Sequence, residues 1–220
     1  MSKYRLLFEK QGTACYLSHL DLMRTFHRLF LRGGYFLKHS KGFHPHPVMS
    51  IVLPLPVGQT SVCEILDFEI ETEIDLAALP DILNAGCPEG LRVLRAYEME
   101  RPIKQLSFVA ADMELFYDEG VKEGTVEALD ALFHRPEVII QKKTKRKTLA
   151  DVDLIPLIHE ISFKAGENKV DAKVVVCAQN PGLNPALLAV AIENELPDLK
   201  PDFVAVHRTD VLDEAGESFR

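Results

Sequence analysis

Lysine, aromatic, imidazole and proline side chains are concentrated in residues 40–47, whose sequence is SKGFHPHP. Four prolines and two glycines among the seventeen residues 42–58 disfavour a helix or a central strand, and proline leaves a loop less freedom to lose on binding. On such a stiff loop Phe43 can stack on a base while Lys41 contacts phosphate. We therefore predict a site for an anionic or stackable ligand; the alternative is a structural crossover with solvated histidines. The predicted substrate-binding residues of this loop are Lys41, Gly42, Phe43, His44, Pro45, His46, Pro47 and Ser50.

His44 and His46 could also supply imidazole ligands to zinc, copper or iron. However, no cysteine or carboxylate stands at a recognisable metal-ligand offset from them. Alternate residues of an extended segment also point in opposite directions. The common nucleotide-binding and hydrolase motifs are absent from the sequence as well. We therefore predict neither a metal site nor a cofactor.

The helix predicted to begin after the N-cap Ser18 carries a second polar group. Asp21, Arg24 and Arg28 follow i, i+3, i+7 spacing and share one ridge of that helix. An ordinary surface ion pair is enough to explain any two of these three residues. Because the start of this helix is close in sequence to the basic loop, we nevertheless include His19, Asp21 and Arg24 in the predicted site. His19 lies in the first turn, where the helix dipole disfavours protonation, so its neutral imidazole could also act as a base.

Charge is distributed unevenly along the chain. The net charge is −8, yet residues 1–46 contain eight basic and two acidic residues, together with five of the eight histidines. A second basic run, KKTKRK, occupies residues 142–147. It is either a solvated hairpin tip or an arm that binds phosphates through counterion release. On the second interpretation the predicted site includes Lys142, Lys143, Lys145 and Arg146.

Two carboxylates, Glu64 and Asp67, follow the proline-rich loop on a predicted strand. Their odd spacing places them on opposite faces of that strand, which argues against a carboxylate pair that shares one proton. One of them could still orient a lysine or histidine of the loop, and Glu64 is included in the predicted site on this ground.

Composition narrows the class of protein. A chain of 220 residues with 47% hydrophobic and 26% charged residues is typical of globular proteins and is long enough for two domains. No segment approaches the ~18 apolar residues of a spanning helix, and the start MSKYRLLFEK lacks the apolar core of a signal peptide. Four scattered cysteines without a CxxC motif indicate reduced thiols. We therefore expect a cytoplasmic protein with no membrane partner.

The elements that must position these side chains follow the order β-α-β-β-α-β in each half of the chain. That order is typical of the ferredoxin-like plan, so we predict an α+β fold of two tandem ferredoxin-like (βαββαβ) modules with antiparallel sheets. The modules are residues 1–102, which contain the GFHPHP loop, and residues 103–220, which contain the basic hairpin. In the first module the predicted strands cover residues 4–9, 35–38, 61–71 and 91–98, and the helices cover 18–32 and 75–84. In the second module the strands cover 107–117, 137–141, 159–164, 169–178 and 203–212, and the helices cover 125–133 and 185–195. The apolar stripe of the first helix is Leu22, Phe26, Leu29 and Phe30.

Three segments resemble a known family: YLSHLDLMR at residues 16–24, SKGFHPHP at 40–47 and LPLPVG at 53–58, together with Ser61, Glu64 and Asp67. In these segments the chain is similar to a bacterial family of radical-SAM-associated (radical-SAM-linked) proteins. Its members occur alone or as C-terminal extensions of radical S-adenosylmethionine proteins that carry a B12-binding domain. The resemblance covers essentially the whole chain. His44 stands where the family often has asparagine, so the stronger matches in the loop are Gly42, Phe43, Pro45, His46 and Pro47.

The resemblance implies an association with radical chemistry that another protein carries out, because this chain has no CxxxCxxC motif to hold an iron–sulfur cluster. We expect a non-catalytic accessory module that binds RNA (tRNA or rRNA) or another anionic substrate and works with a separate B12-binding radical SAM enzyme. One alternative is a metal-independent RNA endonuclease of tandem ferredoxin-like fold, with His19 or His27 as its base. Another is an adaptor that contacts only protein.

Overall fold

A computed structural model describes residues 3–143 and 149–220 of the chain. The protein is a mixed α+β fold of two compact units: Met1–Gln105 with Phe219–Arg220 form the first, and Leu106–Ser218 form the second. The first unit contains β1 (Tyr4–Lys10), α1 (His19–Arg32), β2 (Met49–Val52), β3 (Thr60–Phe68), α2 (Leu79–Asn84) and β4 (Leu91–Glu98). The second contains β5 (Leu106–Phe116), α3 (Thr125–Phe133), β6 (Ile139–Lys143), β7 (Leu149–Asp153), β8 (Ile158–Ala165), β9 (Lys169–Cys177), α4 (Ala186–Glu195) and β10 (Phe203–Asp213).

The strands of the first unit lie in the order β4-β1-β3-β2, and the neighbouring strands are antiparallel. One face of this sheet is apolar, with Leu6 of β1 opposite Leu66 of β3, and it packs against buried residues of α1 and α2. Aromatic rings join the two layers: the Phe8 and Phe26 ring centroids are 4.8 Å apart. Burial of these side chains is the main favourable term in the folding of the unit.

Helix α1 begins and ends as its sequence predicts. The Ser18 hydroxyl accepts a hydrogen bond from the Asp21 amide at 3.2 Å and so caps the helix, which ends at Gly33. The predicted apolar stripe is confirmed, because the buried residues of α1 are Leu22, Phe26, Leu29 and Phe30.

Two predictions for the first unit are wrong in detail. Residues 35–38 do not form a strand, since their one ladder contact is an isolated bridge between Leu37 and Ile70; the strand before β3 is instead Met49–Val52. Helix α2 begins at Leu79 rather than at residue 75. The Asp75 carboxylate accepts hydrogen bonds from the amides of Ala77 and Ala78, and the Asp75 carbonyl accepts one from the Leu79 amide, so Asp75 holds the turn that precedes the helix.

The main sheet of the second unit has the order β10-β5-β9-β8, again with antiparallel neighbours. Strands β6 and β7 pair only with each other, in a hairpin between α3 and β8. The sequence predicts a strand at residues 137–141 and a basic hairpin after it, but it gives no bounds for the second strand of that hairpin, β7. A short two-stranded ribbon alternates weakly between apolar and polar residues, so its second strand gives little signal.

Candidate functional site

The predicted GFHPHP loop leaves and rejoins the sheet at a backbone ladder. The Lys38 amide donates to the Glu69 carbonyl at 3.0 Å, and the Val48 amide donates to the Lys38 carbonyl at 2.7 Å. Further out, the Ser40 amide donates to the His46 carbonyl at 2.8 Å. The base of the loop is therefore a narrow antiparallel pairing anchored beside the end of β3.

Side chains of Ser40 and His46 reinforce that base. The Ser40 hydroxyl accepts from the His46 amide at 3.1 Å, and it lies 2.8 Å from Nδ1 of the same imidazole. One ring nitrogen of His46 is thus engaged inside the loop. His46, one of the residues predicted to contact a ligand, therefore also helps to hold the base of the loop.

The tip of the loop, residues 41–45, is exposed to solvent throughout. Phe43 has an exposed fraction of 102%, the largest among the exposed apolar side chains of the described residues. Gly42 has a φ of +145°, which side-chain-bearing residues rarely adopt, although an added Cβ would meet nothing within 4 Å. The glycine is needed for the backbone turn that presents Phe43, not for space.

An ion pair neutralises part of the basic charge at the base of the loop. Lys38 Nζ lies 2.7 Å from one oxygen of Glu69, and Lys3 Nζ lies 3.9 Å from the other. The hydrogen bond from Lys38 holds the pKa of Glu69 below its ordinary value, against the opposing effect of partial burial. Lys38 is therefore committed to the protein, whereas Lys41 is exposed at the tip.

A cavity of about 490 Å³ adjoins the loop, a volume in the range of small-ligand sites. Ser40 and His46 line one side of it, and Met99 and Ile103 are among the apolar residues of its wall. The carboxylate-bearing Asp67 also lines the cavity, whereas Glu64 does not. The cavity can accept a compact, largely apolar ring beside the stiff loop.

The two carboxylates predicted on β3 lie on opposite faces of that strand. Glu64 is opposite Phe8 and is buried, and Asp67 is opposite Arg5. Asp67 accepts two hydrogen bonds from Arg5, from Nε at 2.6 Å and from Nη2 at 3.1 Å. Sequence reasoning missed Arg5, and the signal that could have found it is a charged residue between the apolar Leu6 and the aromatic Tyr4 in a central strand.

The predicted residues at the start of α1 form a surface network. The Ser18 hydroxyl donates to Asp21 at 2.7 Å, and Arg24 lies 3.4 Å from the same carboxylate. His19 is exposed. The hydrogen bonds of Asp21 and Arg24 join residues within the first turns of α1, which matches the ordinary surface ion pair held open as the alternative.

Two of the segments that resemble a known family meet at the entrance to α1. Lys10, which is 1% exposed, donates through Nζ to the carbonyls of Cys15 and Leu17, both at 3.0 Å. The Gly58 amide donates to the same Cys15 carbonyl, also at 3.0 Å. The buried lysine thus holds the turn before α1 against the end of the LPLPVG segment.

The second unit carries the other predicted patch. Lys142 is an exposed residue of β6, opposite Ala150 of β7, and Lys143 ends that strand. Lys145 and Arg146 lie outside the residues that the structure describes.

Across residues 3–143 and 149–220, no group of three or more histidine, cysteine or acidic side chains is arranged to hold a metal ion. Over the same residues, no helix is both long and apolar enough to cross a membrane.

Three solved structures show how this fold compares with known ones. A chain in a crystal structure of a Cbf5-Nop10-Gar1 complex matches 94% of this chain and 48% of its own length, at 11% identity and a TM-score of 0.50. This chain therefore spans about half the length of that one, and at such low identity the likeness concerns the fold alone. An unknown protein from Galdieria sulphuraria matches 94% of this chain and 97% of its own, at 10% identity and a TM-score of 0.26. The acetolactate synthase small subunit from Thermotoga maritima matches 94% of each chain, at 10% identity and a TM-score of 0.24.

No curated protein matches the sequence. A family profile does, over residues 3–185, which include the loop, the cavity residues and the basic run. The chain therefore belongs to DUF2344, a family described as an uncharacterized protein conserved in bacteria.

Proposed function

We propose that this protein is an accessory module that binds RNA through the GFHPHP loop and delivers it to a separate radical SAM enzyme. The observation that carries the proposal is Phe43, a fully exposed aromatic ring at the tip of a loop whose base is held by the Ser40–His46 hydrogen bonds. An exposed phenylalanine is costly to leave in water, and a loop that is closed at its base has less backbone entropy to lose when its tip stacks on a ligand.

The residues around Phe43 support RNA as the ligand. Base–aromatic stacking tolerates every base, and adjacent cations add affinity for phosphates. Lys41, two residues before Phe43, and His44, directly after it, are both exposed. Single-stranded segments and loops of RNA offer the unstacked bases that such a platform needs.

Cooperation with a radical SAM enzyme of the B12-binding type rests on the resemblance of residues 16–67 to the radical-SAM-linked family. The sequence lacks the CxxxCxxC motif, so the partner would supply the iron–sulfur cluster. All four cysteines are thiols, which suits a reducing compartment such as the cytoplasm.

We also propose that both units are variants of the ferredoxin-like plan. The first unit has the element order β-α-β-β-α-β and the strand order β4-β1-β3-β2. In the second unit β10-β5-β9-β8 follow the same relative chain order, and the hairpin β6–β7 is inserted after the first helix. Superposition of each unit on a set of ferredoxin-like domains tests this; a poor fit of the first unit would contradict it.

Binding of a fluorescently labelled structured RNA tests the function. The substitution Phe43→Ala should weaken binding about tenfold or more, since one stacked base contributes about 1–3 kcal/mol. Phe36→Ala is the matched control, because Phe36 is another exposed phenylalanine of the first unit, and it should change affinity less than about twofold. Lys41→Gln should weaken binding and lower the slope of log K against log salt by about one.

Equal affinities for the Phe43→Ala and Phe36→Ala variants, or binding that does not respond to salt, would contradict the proposal. Intact RNA after incubation is expected, and RNA shortened by the wild type but not by His19→Ala would favour an endonuclease instead. The radical SAM enzyme should co-purify with the full chain, and less of it should co-purify after RNase treatment. Capture that RNase does not affect would favour a protein-only adaptor.

A further inference from the structure

A row of polar side chains crosses the first sheet on the face opposite its helices. Arg5 of β1 lies opposite Asp67 of β3 and opposite Tyr97 of β4. The guanidinium of Arg5 is fully buried and donates to Asp67 from Nε and Nη2. Its remaining nitrogen, Nη1, is buried and has no hydrogen-bond partner among the residues that the structure describes.

The neighbouring Tyr97 presents a second buried polar atom of the same kind. Its hydroxyl oxygen has no hydrogen-bond partner in the described part of the chain. Burial raises the pKa of Tyr97, although the charges of Arg5 and Arg220 act to lower it. The hydroxyl is therefore protonated at neutral pH and can donate a hydrogen bond.

Further arginines surround these two donors. The Arg95 guanidinium lies 5.0 Å from the centroid of the Tyr97 ring. Arg101 is another: its guanidinium and that of Arg5 each lie 5.0 Å from the centroid of the buried Phe219 ring. Such cation–π contacts fix the guanidinium planes without using their N–H groups.

The two donors without partners and the surrounding arginines would all be satisfied by a ligand that accepts hydrogen bonds and carries negative charge. Buried polar groups in native proteins almost always find one, and a group left without it is an exception that needs an explanation. A cation would be repelled here, since four guanidinium groups, including that of Arg220, accompany the carboxylate of Asp67. Several acceptor oxygens with negative charge match fixed N–H and O–H donors best.

We propose that Arg5 Nη1, the Tyr97 hydroxyl and Arg95 form a binding site for a phosphate group. Arg95 is exposed and Tyr97 is partly buried on β4, so the site lies at the edge strand of the sheet. The site uses none of the loop residues that carry the RNA-binding proposal. The phosphate group belongs either to free inorganic phosphate or to the backbone of an RNA, and the experiment separates the two.

Calorimetric titration of the full chain with inorganic phosphate tests the site. Tyr97→Phe removes only the orphaned hydroxyl and should weaken phosphate binding about tenfold, which corresponds to about 1.4 kcal/mol. Tyr4→Phe is the control, since Tyr4 lies on the other face of the same sheet, and it should bind phosphate like the wild type. The melting temperature of Tyr97→Phe without phosphate should not fall, because the substitution removes an unpaired buried polar atom and creates no new one.

The variant Arg95→Gln tests the phosphate site a second time and leaves Arg5 and Tyr97 unchanged. It should weaken phosphate binding several-fold, whereas Arg92→Gln, at an exposed position of the same strand, should not. Competition identifies the source: phosphate displaces RNA from the wild type if the backbone occupies the site, and leaves RNA bound if the ligand is free phosphate. No phosphate binding, or equal affinity in the wild type and Tyr97→Phe, would overturn the proposal whatever the result for Phe43→Ala.

Discussion

The first unit contains two basic regions that differ in burial. In the loop tip, residues 41–45, Phe43 is completely exposed to solvent and Lys41 is exposed as well. The arginine face, defined by Arg5, Arg95, Tyr97, Arg101 and Phe219, holds its central guanidinium and its central ring at 0% exposure. Both regions combine a cation with an aromatic ring, but the ring of the loop is exposed to solvent, whereas the ring of the arginine face is enclosed by the protein.

The difference shows how burial divides the same side-chain chemistry between binding and stability. Exposed charges are screened by water and salt and contribute little to folding. A buried charge must be paired, and loss of its partner is severe. Substitutions on the loop should therefore change affinity, and substitutions that disturb the enclosed Arg5 guanidinium or the enclosed Phe219 ring should change the free energy of unfolding.

The largest effect is expected for Asp67→Ala, which leaves the Arg5 guanidinium buried without its carboxylate. The free energy of unfolding should fall by about 3–5 kcal/mol in urea denaturation. Asp21→Ala is the matched control, because the Asp21 and Arg24 side chains are 54% and 69% exposed, and it should cost less than about 1 kcal/mol. Similar losses for the two variants would mean that burial does not separate these pairs.

Removal of the enclosed ring should come next. Phe219→Ala is expected to lower the free energy of unfolding by about 3–5 kcal/mol, near the lower end of that range if the two arginines close over the cavity. Phe43→Ala also removes a phenyl ring, but one that is exposed to solvent. The free energy of unfolding of this variant should stay within about 0.5 kcal/mol of the wild-type value. Thermal melts of both variants compare them, and a marked loss for Phe43→Ala would show that the loop ring is packed in solution.

A smaller effect is expected at the base of the loop. Ser40→Ala removes the hydroxyl that bonds the amide and the ring of His46, which should cost about 1 kcal/mol of stability and lower RNA affinity a few-fold as the tip loosens. Thr72→Ala, at an exposed position of the first unit, serves as the control and should change neither quantity. Unchanged RNA affinity in Ser40→Ala would show that the tip does not need this anchor.

The smallest effect concerns pH. Because the hydrogen bond from Lys38 lowers the pKa of Glu69 in the folded protein, the pair stabilises the fold above the ordinary value of 4.5. That contribution is lost as the pH falls through the lowered pKa. Urea midpoints of the wild type and Lys38→Met should therefore differ at pH 7 and converge in the acid range below 4.5. A difference that stays constant down to that range would argue against the linkage.

The features of the fold that could be predicted from the sequence are those that depend on contacts between residues close together in the chain. The cap at Ser18, the stripe of α1 and the stiffness around Pro45 all depend on residues a few positions apart. The start of α2 was misplaced because Asp75 holds the turn that precedes the helix, a choice that spacing alone does not reveal. The bounds of strand β7 were missed because a short hairpin has almost no periodic signal.

By itself the sequence determined an α+β protein with a rigid, basic, aromatic loop, since propensity, capping and proline act locally. Only the tertiary structure decided which charges became buried. Arg5 and Asp67 are separated by 62 positions and meet because β1 and β3 pair in one register, and Phe219 reaches them from the far end of the chain. Burial depends on these long-range contacts, so the sequence singled out the exposed loop while the arginine face emerged only once the chain was folded.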